Sequence, residues 1–451
     1  MGAPKRVVVL CDGTWCGRDT KTKSNIFYLA SMMGIDMTGR PAEYITTDIC
    51  AAYFDGVGMN ADFMSYLWNG ALALEAKKEC TKVYEFIVKH SAWDSTTSTE
   101  VWMFGISRGA YIVRSVGGMI NNCGILKDET NATLITEVYD IYRSAYAVHH
   151  PASKESHQFR QRVSYGVKTP VKFMGLFDTV GSLGVPTLDY NTGSGFEWPQ
   201  FHDDLISSAV AKVYHATAIH DRFWGFEPCL ASRDAKHDGD EELQIQQRWF
   251  PGCHYDLARQ EFQFLREGGS TLERLTFPVL NLFSNTISPN EKLADLVLLW
   301  ILRAVRAEGG GAIIQRNMWG GPSTIDAEIP RIVMGIAAGN NGSGDKYDRI
   351  LDYLPGGRVL SAPIAWLKSL NATTYAILFN PVDRFIPHPG MNNDQTSAVW
   401  NSVYNFHLPD FTLNGVIIGQ VARVTGERYP SQSLPRYLAY MAAVGKDPWA
   451  C

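Results

Sequence analysis

Ser107 stands at the centre of Gly105-Ile106-Ser107-Arg108-Gly109, a residue type and spacing suited to nucleophilic attack on an acyl carbon. A serine hydroxyl is a weak nucleophile until a base within hydrogen-bond reach removes its proton, and that base in turn needs an orienting acid. Both partner types occur just beyond apolar runs. Asp178 follows Val171-Lys172-Phe173-Met174-Gly175-Leu176-Phe177, and His254 lies in Pro251-Gly252-Cys253-His254-Tyr255-Asp256 after a run ending at Phe250. His388, in Ile386-Pro387-His388-Pro389-Gly390, is the reserve base. Developing negative charge would be met by the Arg108 N–H and an N–H from the loop Asp12-Gly13-Thr14. The chemistry these groups could do together is acyl transfer, with the imidazole taking the serine proton and returning it to the leaving group.

Competing readings exist for each residue. A Gly-x-Ser-x-Gly match can arise by chance in a chain with 40 glycines, but this one has context. The apolar run Val101-Trp102-Met103-Phe104 precedes it, and Ala110, Val113, Val116 and Ile120 follow at helical spacing. Strand, sharp turn and helix are therefore predicted, with Gly105 and Gly109 as the structural elbow that lets strand and helix approach closely. Asp178 equally suits a turn cap. Asp12 cannot be half of an aspartyl-phosphate pair, because Leu10 occupies the position where a nucleophilic Asp would stand. His149-His150 precedes Pro151 without a carboxylate at ligand spacing and reads as a surface loop. Asp12, Asp256 and His254 are the trio that could converge on a metal; no metal and no cofactor is expected.

The supporting elements alternate. Residues 6–11 read as a first strand, 25–34 as a helix, 44–49 and 51–54 as strands, and 71–89 as a long helix. Helices are expected over 135–148, 203–220 and Glu291–Ala307, and strands over Val171–Phe177 and Gln244–Phe250. Such alternation predicts an α/β fold: a mainly parallel sheet flanked by helices, with inserted helices and an irregular C-terminal lobe. A catalytic domain over 1–308, with an insertion at about 186–243, and an accessory or cap region over 309–451 are expected from the Gly309-Gly310-Gly311 run. The formal charge of −5 and the lack of a basic run argue against nucleic acid. The eight cysteines form no Cys-x-x-Cys pair, which disfavours a zinc knuckle, and several sit in apolar runs as reduced core cysteines do. The first residues lack a signal-peptide apolar stretch, and the most apolar windows, near 293–305 and 362–382, are broken by polar residues such as Asp295, Arg303, Lys368 and Asn371. A cytoplasmic location is expected, with non-classical export left open.

Ser107, Asp178 and His254 occur in the chain order of α/β-hydrolases. The segments Cys11-Asp12-Gly13-Thr14-Trp15, Tyr53-Phe54-Asp55-Gly56-Val57-Gly58, Phe104-Gly105-Ile106-Ser107-Arg108-Gly109-Ala110-Tyr111, Phe177-Asp178-Thr179-Val180-Gly181-Ser182 and Trp249-Phe250-Pro251-Gly252-Cys253-His254-Tyr255-Asp256 carry a further resemblance. With His215-Ala216 through Pro228 and the 293–303 helix, they make the chain similar to the α/β-hydrolase family of the type VI secretion phospholipase effectors. That family was formerly a domain of unknown function and is also frequent in fungi. The resemblance covers roughly residues 5 to 307 and implies a Ser107, Asp178, His254 triad and ester hydrolysis, with phospholipase A or lipase activity known for some members. The chain departs from the family where Val and three glycines usually follow His-x-Asp: here Leu257-Ala258-Arg259-Gln260 stands. A Cβ at each position is expected to reshape the histidine loop. The reading is a serine carboxyl-ester hydrolase acting on an acyl lipid, with peripheral membrane contact compatible with that substrate and the oligomeric state open. The alternatives are an esterase or thioesterase with a soluble substrate and a catalytically inactive α/β fold kept as a binding module.

Overall fold

The computed structural model describes residues 4–14, 16–18, 20, 22–56, 72–95, 97–180, 187–188, 196–197, 205–222, 226, 228–233, 243–263, 286–338, 383–384, 412–413, 416–417, 429, 431–443 and 445. The apolar window at 362–382 and the reserve base His388 lie outside these residues, as do Trp15 and residues 57–58 and 181–182.

The architecture is α/β. Seven strands form one sheet: β1 (Lys5–Cys11), β2 (Ala42–Ile45), β3 (Ile49–Phe54), β4 (Thr99–Ile106), β5 (Val171–Phe177), β6 (Val210–Ala218) and β7 (Gln244–Phe250). Their spatial order is β7-β6-β5-β4-β1-β3-β2. All neighbours are parallel except the edge pair β2–β3. From β1 the chain moves to β3 on one side, then returns across β1 to β4 on the other. The topological switch point therefore falls between β1 and β4, where the loops beyond the strand ends diverge and leave a crevice.

Strands β1, β4 and β5 read as unbroken apolar runs because both of their faces are covered. One face carries Leu10, Phe104, Phe173, Phe177, Tyr214 and Phe250 and packs on α1 (Asn25–Met32), α7 (Glu291–Ala307) and α8 (Ile325–Ala338). The other carries Val9, Met103, Met174, Leu176 and Val213 and packs on α2 (Leu72–His90), α3 (Arg108–Cys123) and α4 (Ala132–Tyr142). An exposed helix, α5 (Lys154–Val163), follows α4, and a five-residue helix, α6 (His254–Ala258), follows β7. The apolar stripe of α7 meets α8 through Ile325, Ile329, Ile332 and Ile336, so the core continues across the Gly309-Gly310-Gly311 run. Among the described residues no helix is long and apolar enough to cross a membrane.

Two expectations need correction. The 203–220 segment is not a helix: its centre is β6, hydrogen-bonded between β5 and β7. Ile206, Ala209, Val210 and Val213 sit at helical spacing, but backbone pairing on both sides outweighs that pattern. The expected helix over 135–148 is instead α4, ending at Tyr142, with a separate 3-10 turn at Ala147–His149. His149 and His150 lie at that turn, and His150 is exposed.

Phe173 is the centre of an aromatic stack on the sheet. Its ring lies 5.2 Å from Trp102 at 21° and 5.2 Å from Tyr214 at 18°, and it is fully buried. Phe173→Ala should destabilise the fold by about 3–5 kcal/mol with an unchanged denaturant slope. Urea unfolding followed by tryptophan fluorescence checks this, and a loss under ~1 kcal/mol would contradict the central packing role.

Candidate active site

The turn at Ser107 follows from how little room lies between β4 and α3. The helix begins one residue after Ser107, which adopts φ 56° and ψ −122°. A non-glycine residue in such a conformation carries roughly 1–3 kcal/mol of strain, which the surroundings must hold in place. Ser107 N–H donates to Phe177 O at 2.9 Å, and Ser107 O accepts from Tyr111 N–H at 3.3 Å. A Cβ on Gly105 would lie 2.5 Å from Gly109 O, and one on Gly109 would lie 2.1 Å from Cys11 O. Neither position admits a side chain without moving backbone, so the two glycines let α3 start against β1 and β4.

The sheet register brings the other groups to the same rim. Ile106 pairs with Phe177, and Phe177 with Ala216, so the residues after β4 and β5 emerge side by side. Asp178 also has a positive φ, 42°. His254 arrives from beyond β7 as the first residue of α6, and its backbone N–H donates to Asp221 Oδ2 at 2.9 Å. His254 Nε2 is 2.9 Å from Ser107 Oγ, and His254 Nδ1 is 2.7 Å from Asp178 Oδ2. The Phe226 ring stacks on the imidazole at 4.4 Å and 12°. Ser107, Asp178 and His254 are all buried.

Asp178 has four hydrogen-bond donors around it. Oδ1 accepts from Ala218 N–H at 2.9 Å and from Arg384 Nη1 at 2.7 Å; Oδ2 accepts from Arg384 Nη2 at 2.8 Å and faces His254 Nδ1. Burial by itself would push this carboxyl up, but the Arg384 guanidinium and the His254 hydrogen bond hold it well below the usual carboxylate range.

The loop Asp12-Gly13-Thr14 lies directly against the serine: a Cβ on Gly13 would be 3.1 Å from Ser107 Cβ. The Asp12 carboxylate is turned to its own supports. Oδ1 accepts Gly13 N–H at 2.8 Å, while Oδ2 accepts Ser24 Oγ–H at 2.7 Å and Tyr53 Oη–H at 2.5 Å. Burial pushes the Asp12 carboxyl up to about 6, against the pull of these donors. Thr14 is held on two sides, its hydroxyl accepting from Arg108 Nε and its carbonyl from Gln260 Nε2 at 2.8 Å. Arg108 also opens α3, where first-turn backbone N–H groups have no intrahelical acceptor.

Asp12 and Asp256 do not converge with His254 on a metal. Asp256 instead fastens the histidine loop: Oδ1 accepts Asn290 N–H at 2.7 Å, and Oδ2 accepts Cys253 N–H at 2.9 Å and Tyr429 Oη–H at 2.6 Å. Among the described residues no group of three His, Cys, Asp or Glu side chains could hold a metal ion. The segment Leu257-Ala258-Arg259-Gln260 forms a compact turn. Leu257 and Ala258 are buried in the core, and Arg259 takes the left-handed conformation at φ 54° and ψ 45°. Its side chain pairs with Asp295 and reaches Asn25 Oδ1 at 3.2 Å. These side chains are packed or paired, and the turn carries His254 to Ser107.

Several supporting residues had no role legible in the sequence. Arg384 and Tyr429 belong to no motif and reach the site only through folding, while Asp221, Phe226 and Gln260 stand in segments that the sequence singled out without assigning them a role. His215 and His220, inside the segment expected to be helical, are buried on and just after β6. His215 Nε2 accepts Thr179 N–H at 3.2 Å and its Nδ1 meets Gln247 Oε1 at 2.8 Å; His220 Nδ1 accepts Gly252 N–H at 3.0 Å. Burial lowers both imidazoles to about 4, so they stay neutral brackets for the turns beside them.

Comparison with known proteins places the chain in a family. The family described as "T6SS, Phospholipase effector Tle1-like, catalytic domain" matches residues 5–304. The uncharacterised protein YEL023C of Saccharomyces cerevisiae is 24% identical over 190 residues, which span 40% of this chain and 27% of the yeast protein. Two solved structures share 13% identity. One is the Tle1 effector bound to the VgrG spike of the type 6 secretion system, with 75% of this chain and 80% of that one covered and a TM-score of 0.33. The other is an uncharacterised Pseudomonas aeruginosa protein, with 98% and 62% covered and a TM-score of 0.37. With its family match running over most of its length, from β1 to within α7, the chain belongs to the Tle1-like phospholipase effector family of the type VI secretion system.

Proposed function

We propose that this chain is a serine hydrolase that cleaves carboxyl esters of lipids, in the manner of a phospholipase A or lipase, through an acyl-enzyme. The observation that carries the reading is the hydrogen-bonded line from Ser107 Oγ through His254 to Asp178, 2.9 and 2.7 Å long, at a strained strand-to-helix turn. The lipid substrate rests on family membership; the ester chemistry rests on the side chains.

In this reading His254 Nε2 takes the Ser107 proton as Oγ attacks the ester carbonyl carbon. The carbonyl π pair moves onto oxygen, and the Arg108 N–H with an N–H of the Asp12–Thr14 loop receives that charge. One such donor is worth roughly 10²–10³ in rate. The tetrahedral intermediate then expels the alcohol, which leaves with the proton His254 holds. Water, deprotonated by the same imidazole, releases the fatty acid and restores Ser107. Asp178 keeps the Nδ1–H tautomer in place and stabilises the imidazolium.

Ser107→Ala should lower kcat for p-nitrophenyl ester hydrolysis by roughly 10⁴–10⁶-fold and abolish fluorophosphonate labelling. Labelling that persists in the variant would remove Ser107 from the role. A preference for micellar over monomeric ester supports the lipid substrate; equal rates on both would favour a soluble ester.

Asp12 sets a pH dependence of stability. Its folded pKa lies above that of an unfolded Asp, so the folded chain holds this proton more tightly. The contribution is full below about pH 4 and lost as pH rises through about 6, a swing on the order of 3 kcal/mol. Asp12→Asn should therefore gain stability relative to the natural protein between pH 4 and 7.5, by urea unfolding at each pH. A difference that stays constant over this window would contradict a buried, titrating Asp12.

A further inference from the structure

Arg384 lies 206 residues from Asp178 in sequence, yet its guanidinium meets both oxygens of that carboxylate, at 2.7 and 2.8 Å. The same side chain donates to Ala218 O at 2.8 Å and to Phe226 O. It therefore joins three pieces of the site: the turn that holds the acid, the end of β6, and the residue whose ring covers the imidazole of His254. Arg384 is itself buried, as is the carboxylate it faces. Neighbouring Asp383 fastens this stretch outward, pairing with Arg222 at 3.1 Å and Arg436 at 3.5 Å.

We propose that Arg384 is a positioning residue for the hydrolytic centre, acting on His254 through Asp178. The inference rests on the serine-hydrolase reading of that centre. Its chemistry has two parts. The planar fork fixes both carboxylate oxygens, so that one lone pair of Oδ2 points at His254 Nδ1 while Oδ1 is held by Ala218 N–H. The fixed positive charge also competes with the imidazolium for the Asp178 charge. A proton added to the Asp178–His254 pair must enter beside a cation, whichever of the two groups takes it. Arg384 thus opposes protonation of the Asp178–His254 pair, while the buried carboxyl of Asp221, which accepts the His254 backbone N–H, is the charged group that acts the other way.

A purely structural staple and a positioning residue differ in what they move. Loss of a staple lowers the folded fraction; loss of Arg384's charge shifts the acid limb of the pH–rate profile as well. Arg384→Gln should move the acid limb of kcat/KM for a p-nitrophenyl ester to higher pH by about 1 unit or more, with kcat reduced. Arg384→Lys keeps the charge but not the fork, and should leave the limb near its natural position while lowering kcat/KM by at least tenfold. Circular dichroism and thermal unfolding identify the folded variants. A folded Arg384→Gln protein with an unmoved limb overturns the inference, as does an Arg384→Lys protein equal to the natural one in both readouts. Failure of both variants to fold also counts against it, leaving a staple. If the natural protein takes no fluorophosphonate label at Ser107, the hydrolase reading itself fails; if it labels and the profiles do not move, only the role of Arg384 is lost.

Discussion

The left-handed turn at Ser107 is the constraint around which the rest of the site is arranged. A serine with a φ of 56° is held, not preferred, and what holds it is the pairing of β4 with both β1 and β5. The backbone of Ser107 takes a hydrogen bond from Tyr111 in the first turn of α3 and gives one to Phe177 at the end of β5. The second of these exists only when β4 and β5 are in register. The aromatic stack of Trp102, Phe173 and Tyr214 fixes that register from one face, and the first turns of α3 close it from the other. Strain at the serine is thus offset by packing several residues away, as expected where a fold positions a reactive group.

Ionised groups without water need partners, and the site meets this need through a small set of saturated contacts. Asp178 has all of its acceptor positions occupied, so its charge is both neutralised and aimed. Asp12 is treated differently. Among the described residues three neutral donors and no cation face its carboxylate, and burial raises its proton affinity instead. The contrast separates two jobs. One carboxylate is kept charged beside the imidazole; the other ties the loop next to Ser107 to β3 through Tyr53.

The turn after His254 is held by the side chains that follow it. Arg259 occupies a left-handed position that glycine would take with less strain, and its pairing with Asp295 and Asn25 anchors it to α7 and α1. Gln260, next in the chain, reaches across to Thr14, so the histidine loop and the loop beside Ser107 share a hydrogen bond. Asp256 and Tyr429 close the other side of the same turn. The two halves of the proposed centre are therefore tied to each other as well as to the sheet.

How much of this could be read in advance differs by element. Strands β1, β4 and β5 are buried on both faces, so their apolar runs are visible without context, and helix α7 shows its stripe over its full length. The strand-turn-helix around Ser107 and the placement of Asp178 and His254 after strands were legible for the same local reason. β6 was not, because its apolar spacing also fits a helix and only pairing with two neighbours decides between them. The amino-acid sequence by itself determined which residue types stand at the ends of strands and hence which chemistry is available. Tertiary structure alone decided that Arg384, Phe226, Asp221 and Tyr429 would surround them, since a buried charge takes its partner from whatever chain folding brings within hydrogen-bond reach, at any distance in sequence.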